Sequence, residues 1–205
     1  MSKDDDDTPD NEIKLILLGN SGVGKTNIIN IVTGGKFNED EKTTSSASFS
    51  VKNMVIEKKE YIINLWDTIG QEQFRQLTKI FYNNSKIVIF VYDITCKSSF
   101  DDLNYWTKDV EEQIGKNIIK GVVANKMDLY LKEEVKTEEG EKFAESIGAH
   151  FLEYSAKTEG PTKFDEFLVE LINEYLVFRK NNGGKGNISL TRESVIGKKK
   201  KKDCC

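Results

Sequence analysis

Gly19-Asn20-Ser21-Gly22-Val23-Gly24-Lys25-Thr26 follows directly on the apolar run Ile13-Lys14-Leu15-Ile16-Leu17-Leu18, and the residues after it have helical spacing. A strand, then Gly-x-x-x-x-Gly-Lys-Thr, then a helix is the setting in which this motif cradles phosphate. Its glycines let main-chain N–H groups converge on an anion, and the helix N-terminus adds partial positive charge. Lys25 is then expected to reach the terminal phosphates of a nucleotide, and the Thr26 hydroxyl to bind Mg2+. The loop alone chooses neither the base nor the reaction.

Beyond the loop, short apolar runs bounded by Gly, Asn, Asp or Ser predict strands over residues 13–18, 49–57, 61–66, 87–92, 118–124 and 150–154. Helical spacing predicts helices over 25–33, 100–114, 137–147 and 162–179, the last just after Pro161. Too few residues separate the second and third strands for a parallel crossover, so they must form an antiparallel hairpin. The expected fold class is α/β: a six-stranded, mostly parallel sheet with one antiparallel edge strand and helices on both faces. Ligands of such sheets gather beyond the carboxyl ends of the strands, so function is expected in the loops that follow them.

The chain has 205 residues and 38% apolar content, enough for one core. Residues 1–11 are polar and acidic and residues 179–205 are rich in Gly, Asn, Ser and Lys, so both are expected to be disordered around a folded domain of 12–178. The acidic start is unlike a secretory signal, and no run is apolar enough to span a bilayer. Three cysteines, two of them adjacent at the end, make no disulfide framework. Cys96 is expected to be a packing residue. Net charge is −4, but from Arg179 onward nine Lys/Arg face two acids, so the tail carries +7 and the rest −11. That segregation asks for a separate explanation of the basic end.

Three further constellations narrow the ligand. Asn125-Lys126-Met127-Asp128 follows the fifth strand, where a carboxylate can accept both guanine N1–H and the exocyclic amine, a donor pair that adenine lacks. Ser155-Ala156-Lys157 follows the sixth, where a backbone N–H could meet guanine O6. Asp67-Thr68-Ile69-Gly70-Gln71-Glu72 follows the third, which puts Asp67 near the metal, the Gly70 N–H near the γ-phosphate and Gln71 near an attacking water. Thr44, in the polar stretch 38–48, could give Mg2+ a second hydroxyl, with Thr43 as the competing candidate. A small ATP-using kinase would need an arginine-rich lid, yet Arg75 is the only arginine before Arg179.

These residues resemble the Ras superfamily of small GTPases, and specifically its Rab branch, over about residues 12–178. The likeness rests on residues 19–26, Leu65-Trp66-Asp67-Thr68, Val91-Tyr92-Asp93-Ile94-Thr95, Ser99-Phe100 with Trp106, and Cys204-Cys205. It implies a P-loop G domain that binds GTP, GDP and Mg2+ and hydrolyses GTP as a switch. Catalysis would fall to Gln71, Lys25 and Gly70, and Mg2+ would be held by Thr26, Thr44 and Asp67. Asn20, Ser21, Gly22, Val23, Gly24, Lys25, Thr26 and Asn27 would cradle the phosphates. Phe37 would flank the guanine ring, completed by Asn125, Lys126, Asp128, Ser155, Ala156 and Lys157. Expected partners are an exchange factor, a GTPase-activating protein, a GDP-dissociation inhibitor or escort protein, and effectors that read two switch loops.

Two departures stand out from that family pattern. Ile69 occupies a position usually held by alanine, and its β-branch restricts the backbone beside Gly70; a hydrolysis-impaired membrane scaffold is therefore the alternative reading. Ser45-Ser46 makes the effector loop more polar than most Rabs. At the end of the chain, Lys198 to Lys202 precede Cys204-Cys205, which resembles the Rab double-prenylation signal. Two lipids plus a basic run would anchor stably to the cytoplasmic face of an endomembrane, with a cytosolic pool. A nucleic-acid partner is not expected, because no aromatics interleave the lysines.

Overall fold

Four consecutive residues of the first strand, Leu15 to Leu18, are wholly buried, which is what a strand covered on both faces of a parallel sheet requires. The computed structural model describes residues 11–41, 44, 47–70, 81–115 and 117–182. Within them run β1 Glu12–Leu18, β2 Ser48–Ile56, β3 Lys59–Asp67, β4 Ile87–Asp93, β5 Ile119–Asn125 and β6 His150–Glu153. They form one six-stranded sheet in the order β2-β3-β1-β4-β5-β6. Only the β2–β3 pair is antiparallel, with β2 on the edge.

The helices are α1 Lys25–Val32, α2 Lys97–Asp101, α3 Leu103–Ile114, α4 Thr137–Ser146 and α5 Pro161–Asn181, with a 3-10 segment at Met127–Lys132. Alternation along β1 splits the core in two. Ile13, Leu15 and Leu17 pack with Ile28 and Ile29 of α1 and Phe164, Leu168 and Ile172 of α5. Ile16 and Leu18 pack on the opposite face with Leu103, Trp106 and Val110 of α3 and Ala144 of α4. Helices thus cover both faces, as expected.

Most element boundaries shift by a residue or so, and four differences are larger. The β2–β3 hairpin is tighter than its pattern suggests, closing through Glu57 and Lys58, both with positive φ. The helix expected from 100 starts at Lys97 and breaks at Asp102. The 3-10 segment was not foreseen, since six residues, Met-Asp-Leu-Tyr-Leu-Lys, are too short to show a helical period. Finally, α5 runs to Asn181, three residues past the expected end of the folded part. Burial of Tyr175 and Phe178 carries it that far, and Arg179 and Lys180 suit the negative end of the helix dipole. Cys96 is half-buried just before α2, its Sγ 3.3 Å from Ser98 Oγ. The termini 1–10 and 183–205 lie outside the described residues.

Candidate nucleotide site

The loop between β1 and α1 is held in shape by atoms that the motif does not contain. Gly24 has φ +98, and a Cβ there would sit 2.3 Å from Asn125 Nδ2, so no side chain fits. Asn125 itself, 1% exposed, donates from Nδ2 to Val23 O at 2.7 Å and accepts at Oδ1 from Ala156 N at 3.2 Å. One amide therefore ties the phosphate loop to the segment after β6. Lys25 is also buried, and its Nζ donates to Gly19 O at 2.8 Å and Asn20 O at 2.9 Å. Burial pushes its ammonium down to about 8, with the nearby Asp67 charge opposing.

At the head of α1, three oxygen-bearing side chains from three segments converge. Thr26 Oγ1 donates to Asp67 Oδ2 at 2.6 Å and lies 3.0 Å from Thr44 Oγ1; Thr44 Oγ1 reaches Asp67 Oδ2 at 3.5 Å. Among the described residues Asp67 Oδ1 is buried with no hydrogen-bond partner. Burial raises the Asp67 carboxyl above its ordinary range, against the Thr26 bond, Lys25 and Thr44, while Glu41 pushes it further up. An orphaned carboxylate oxygen beside two hydroxyls fits a hard cation such as Mg2+, which takes few protein oxygens and completes its shell with phosphates and water. Thr44 is thus the threonine in this cluster; Thr43 lies outside the described residues.

Gly70 closes the phosphate end. A Cβ on it would stand 2.5 Å from Asn20 C, 2.6 Å from Asn20 O and 2.6 Å from Lys25 Nζ, so this backbone approaches the loop as only glycine allows. Ile69 beside it is buried. Gln71 lies outside the described residues.

At the other end, Lys126 adopts φ +67 and pairs through Nζ with Asp93 Oδ2 at 2.6 Å. Asp128 Oδ1 accepts from Ser155 Oγ at 2.6 Å, which aims the carboxylate into the cleft. Lys157 Nζ lies 5.8 Å from the centre of the Phe37 ring and pairs with Glu39 Oε1 at 3.0 Å. Asn27 joins α1 to the loop after Phe37 through paired bonds with the Asn38 main chain, at 2.8 and 2.9 Å.

Most of the expected residues line one cleft of about 290 Å3, from Ser21 and Gly22 through Lys25, Thr26, Asn27, Phe37, Thr44 and Gly70 to Asn125, Lys126, Asp128, Ala156 and Lys157. Asn20, Val23, Asp67 and Ser155 support it from behind. Val23 and Ser155 are buried, and the Asn20 side chain turns toward α3. Glu39, Glu41 and Leu129 also line the cleft, and the sequence reading missed them. The two acids sit in an ordinary polar loop, and Leu129 could have been found only as the neighbour of Asp128.

A family model described as the Ras family matches residues 14–176. The chain is 33% identical to the GTP-binding protein ypt3 of Schizosaccharomyces pombe, over 98% of this chain and 99% of that one. It is 37% identical to human Ras-related protein Rab-30 over 70% of this chain and 71% of the relative. Against mouse Ras-related protein Rab-12 it is 36% identical over 82% of this chain and 68% of the relative. With the phosphate loop, the oxygen cluster and the Asp128 carboxylate opening on one cleft, the chain belongs to the Ras family of small GTPases, in its Rab branch, whose members bind GTP, GDP and Mg2+ and hydrolyse GTP.

Proposed function

We propose that the protein is a switch that cycles between GTP- and GDP-bound forms on the cytoplasmic face of an endomembrane and regulates vesicular traffic. One observation carries this reading: Thr44, from the loop after α1, and Gly70, from the loop after β3, both reach the phosphate loop, at Thr26 and Asn20 respectively. Two segments far apart in sequence thereby share one contact zone at the terminal phosphates, so a γ-phosphate can hold both and its loss can release both.

In this assignment the phosphate loop, Asn20 to Asn27, holds the phosphates, and Lys25 places its charge on the β- and γ-oxygens. Thr26, Thr44 and Asp67 would hold Mg2+, which would supply charge neutralisation at the phosphoryl oxygens. Gln71 orients the attacking water and the Gly70 N–H meets the γ-phosphate. Asp128, steered by Ser155, reads guanine N1–H and the amine. A backbone N–H of the segment Ser155 to Lys157 meets guanine O6, while Phe37 and Lys157 cover the ring. Without an arginine in the phosphate loop, unassisted turnover is of order 10⁻⁴ to 10⁻² s⁻¹, and an activating protein raises it by roughly 10³ to 10⁵.

Exchange factors, activating proteins, a GDP-dissociation inhibitor and effectors read the two loops. Phe49, more than half exposed and stacked on Trp66, gives them an apolar surface alongside. Cys204 and Cys205, with the lysines at 198–202, carry two prenyl chains and a basic run to the membrane; these residues lie outside the described ones. Among the described residues no helix is long and apolar enough to cross a bilayer.

The test is to denature the purified protein, identify the released nucleotide, and follow conversion of bound GTP in a single turnover with Mg2+. Released GDP or GTP and slow conversion are expected; an adenine nucleotide would sink the reading. A second reading, a GTP-binding scaffold impaired in hydrolysis, is favoured by the buried Ile69 beside Gly70. GTP that persists unconverted, even with an activating protein, would select it.

A further inference from the structure

Asp102 stands between α2 and α3, at the N-cap of α3, yet its side chain caps nothing. The main chain there is helical, φ −68 and ψ −12, so the carboxylate is not placed to cap α3. Here Oδ2 instead accepts from Asn20 Nδ2 of the phosphate loop at 2.8 Å. Trp106, four residues on and so on the same helix face, donates from Nε1 to Asn20 Oδ1 at 3.2 Å. Trp106 is fully buried.

Both ends of the Asn20 amide are thus occupied. An indole N–H can only donate and a carboxylate can only accept, so the amide has one orientation and a flip would set like against like. The main chain of the same residue does the chemistry-facing work: Asn20 O accepts from Lys25 Nζ at 2.9 Å, and it is the atom against which Gly70 packs. Two side chains from one helix face thus hold the residue whose carbonyl is shared by Lys25 and Gly70.

We propose that Asp102 and Trp106 are positioning residues for GTP hydrolysis: by fixing both ends of the Asn20 amide, the start of α3 sets the Asn20 carbonyl, and through it the seats of Lys25 and Gly70. The inference rests on the roles assigned to Lys25 and Gly70 above. It makes the α2–α3 junction, which does not line the cleft, a control point on the cleavage rate.

The test compares single-turnover hydrolysis of bound GTP, GDP dissociation and thermal midpoint in the full-length wild type and four variants. Asp102→Ala removes the acceptor, and hydrolysis is expected to slow about three- to ten-fold, the scale of one ordinary hydrogen bond. Asp102→Asn keeps an acceptor oxygen and stays within about two-fold. Asn20→Asp sets two carboxylates against each other and slows hydrolysis; the reciprocal pair Asn20→Asp with Asp102→Asn restores a donor and an acceptor and recovers most of the rate. GDP dissociation should change less than hydrolysis throughout.

Wild-type hydrolysis in a folded Asp102→Ala variant would overturn the inference, as would a reciprocal pair no faster than Asn20→Asp alone. Equal losses in GDP retention and hydrolysis would reduce the contact to loop packing and also overturn it. Should Asp102→Ala fail to fold, the reciprocal pair decides by itself. A wild type that leaves GTP intact instead removes the functional reading on which the inference stands.

Discussion

At the scale of single residues, the side chains that line the cleft are braced by their neighbours. Asn125 was expected at the base, and its amide clamps Val23 to Ala156; Asp128 depends on Ser155 for its aim. Ile69 offers the sharpest test at this scale. Its buried, β-branched side chain limits the φ/ψ range of the backbone beside Gly70, the residue proposed to meet the γ-phosphate. Ile69→Ala should therefore speed single-turnover hydrolysis, by roughly two- to ten-fold if the relief amounts to about 0.4–1.4 kcal/mol of barrier. Equal rates would mean that the branch does not constrain the loop. Thr26, Lys25 and Gly24 were legible from spacing alone, because a phosphate loop is a local structure whose chemistry is written in consecutive residues. Glu39, Glu41 and Leu129 were not, because what brings them to the cleft is the path of a loop.

Elements show where local preference was overruled. The β2–β3 turn puts Glu57 and Lys58 at φ 50 and 67, in the left-handed region that costs a non-glycine residue about 1–2 kcal/mol. Nothing in Glu-Lys announces a two-residue turn; the pairing of β2 with β3 along its whole length imposes it. Lys58→Gly should raise the urea midpoint, with a net gain of about 0.5–1 kcal/mol once the entropy of glycine is deducted; a fall would show that the turn is unstrained.

β6 and α5 meet through His150, whose Nε2 lies 2.5 Å from Glu174 Oε2 and Nδ1 3.4 Å from Glu170 Oε2. The Glu174 bond raises the histidine pKa, against the effect of burial, with further help from the Glu174 and Glu170 charges. A pKa raised in the folded state adds stability that is complete below the unfolded value, about 6.5, and is lost as pH climbs through the folded value. Wild type should thus exceed Glu174→Gln in thermal midpoint at pH 5.5, and the gap should close by pH 8.5. The group is part-exposed, so the difference should stay under about 1 kcal/mol. A gap constant with pH would assign the contact to packing.

Over the whole molecule, charge is segregated along the chain: +7 from Arg179 onward against −11 before it. If Cys204 and Cys205 carry lipid, the double change to serine should move the protein from the membrane pellet to the supernatant in cell fractionation, with GTP hydrolysis in solution unchanged. A double variant still in the pellet would place the anchor elsewhere. By itself the sequence determined the alternation of strands and helices, the hairpin at one edge, the glycine loop between β1 and α1 and an Asp128 carboxylate after β5, because each is specified by apolar period or by residues adjacent in the chain. Only the tertiary structure decided that Thr44 joins Thr26 and Asp67, that Asn125 is a clamp, that Gly70 rests on Asn20, and that Asp102 turns from its own helix to the phosphate loop. Those contacts span between 18 and 102 residues of chain, or end on a backbone atom. No local pattern encodes them, and the sheet order that brings their loops to one end does.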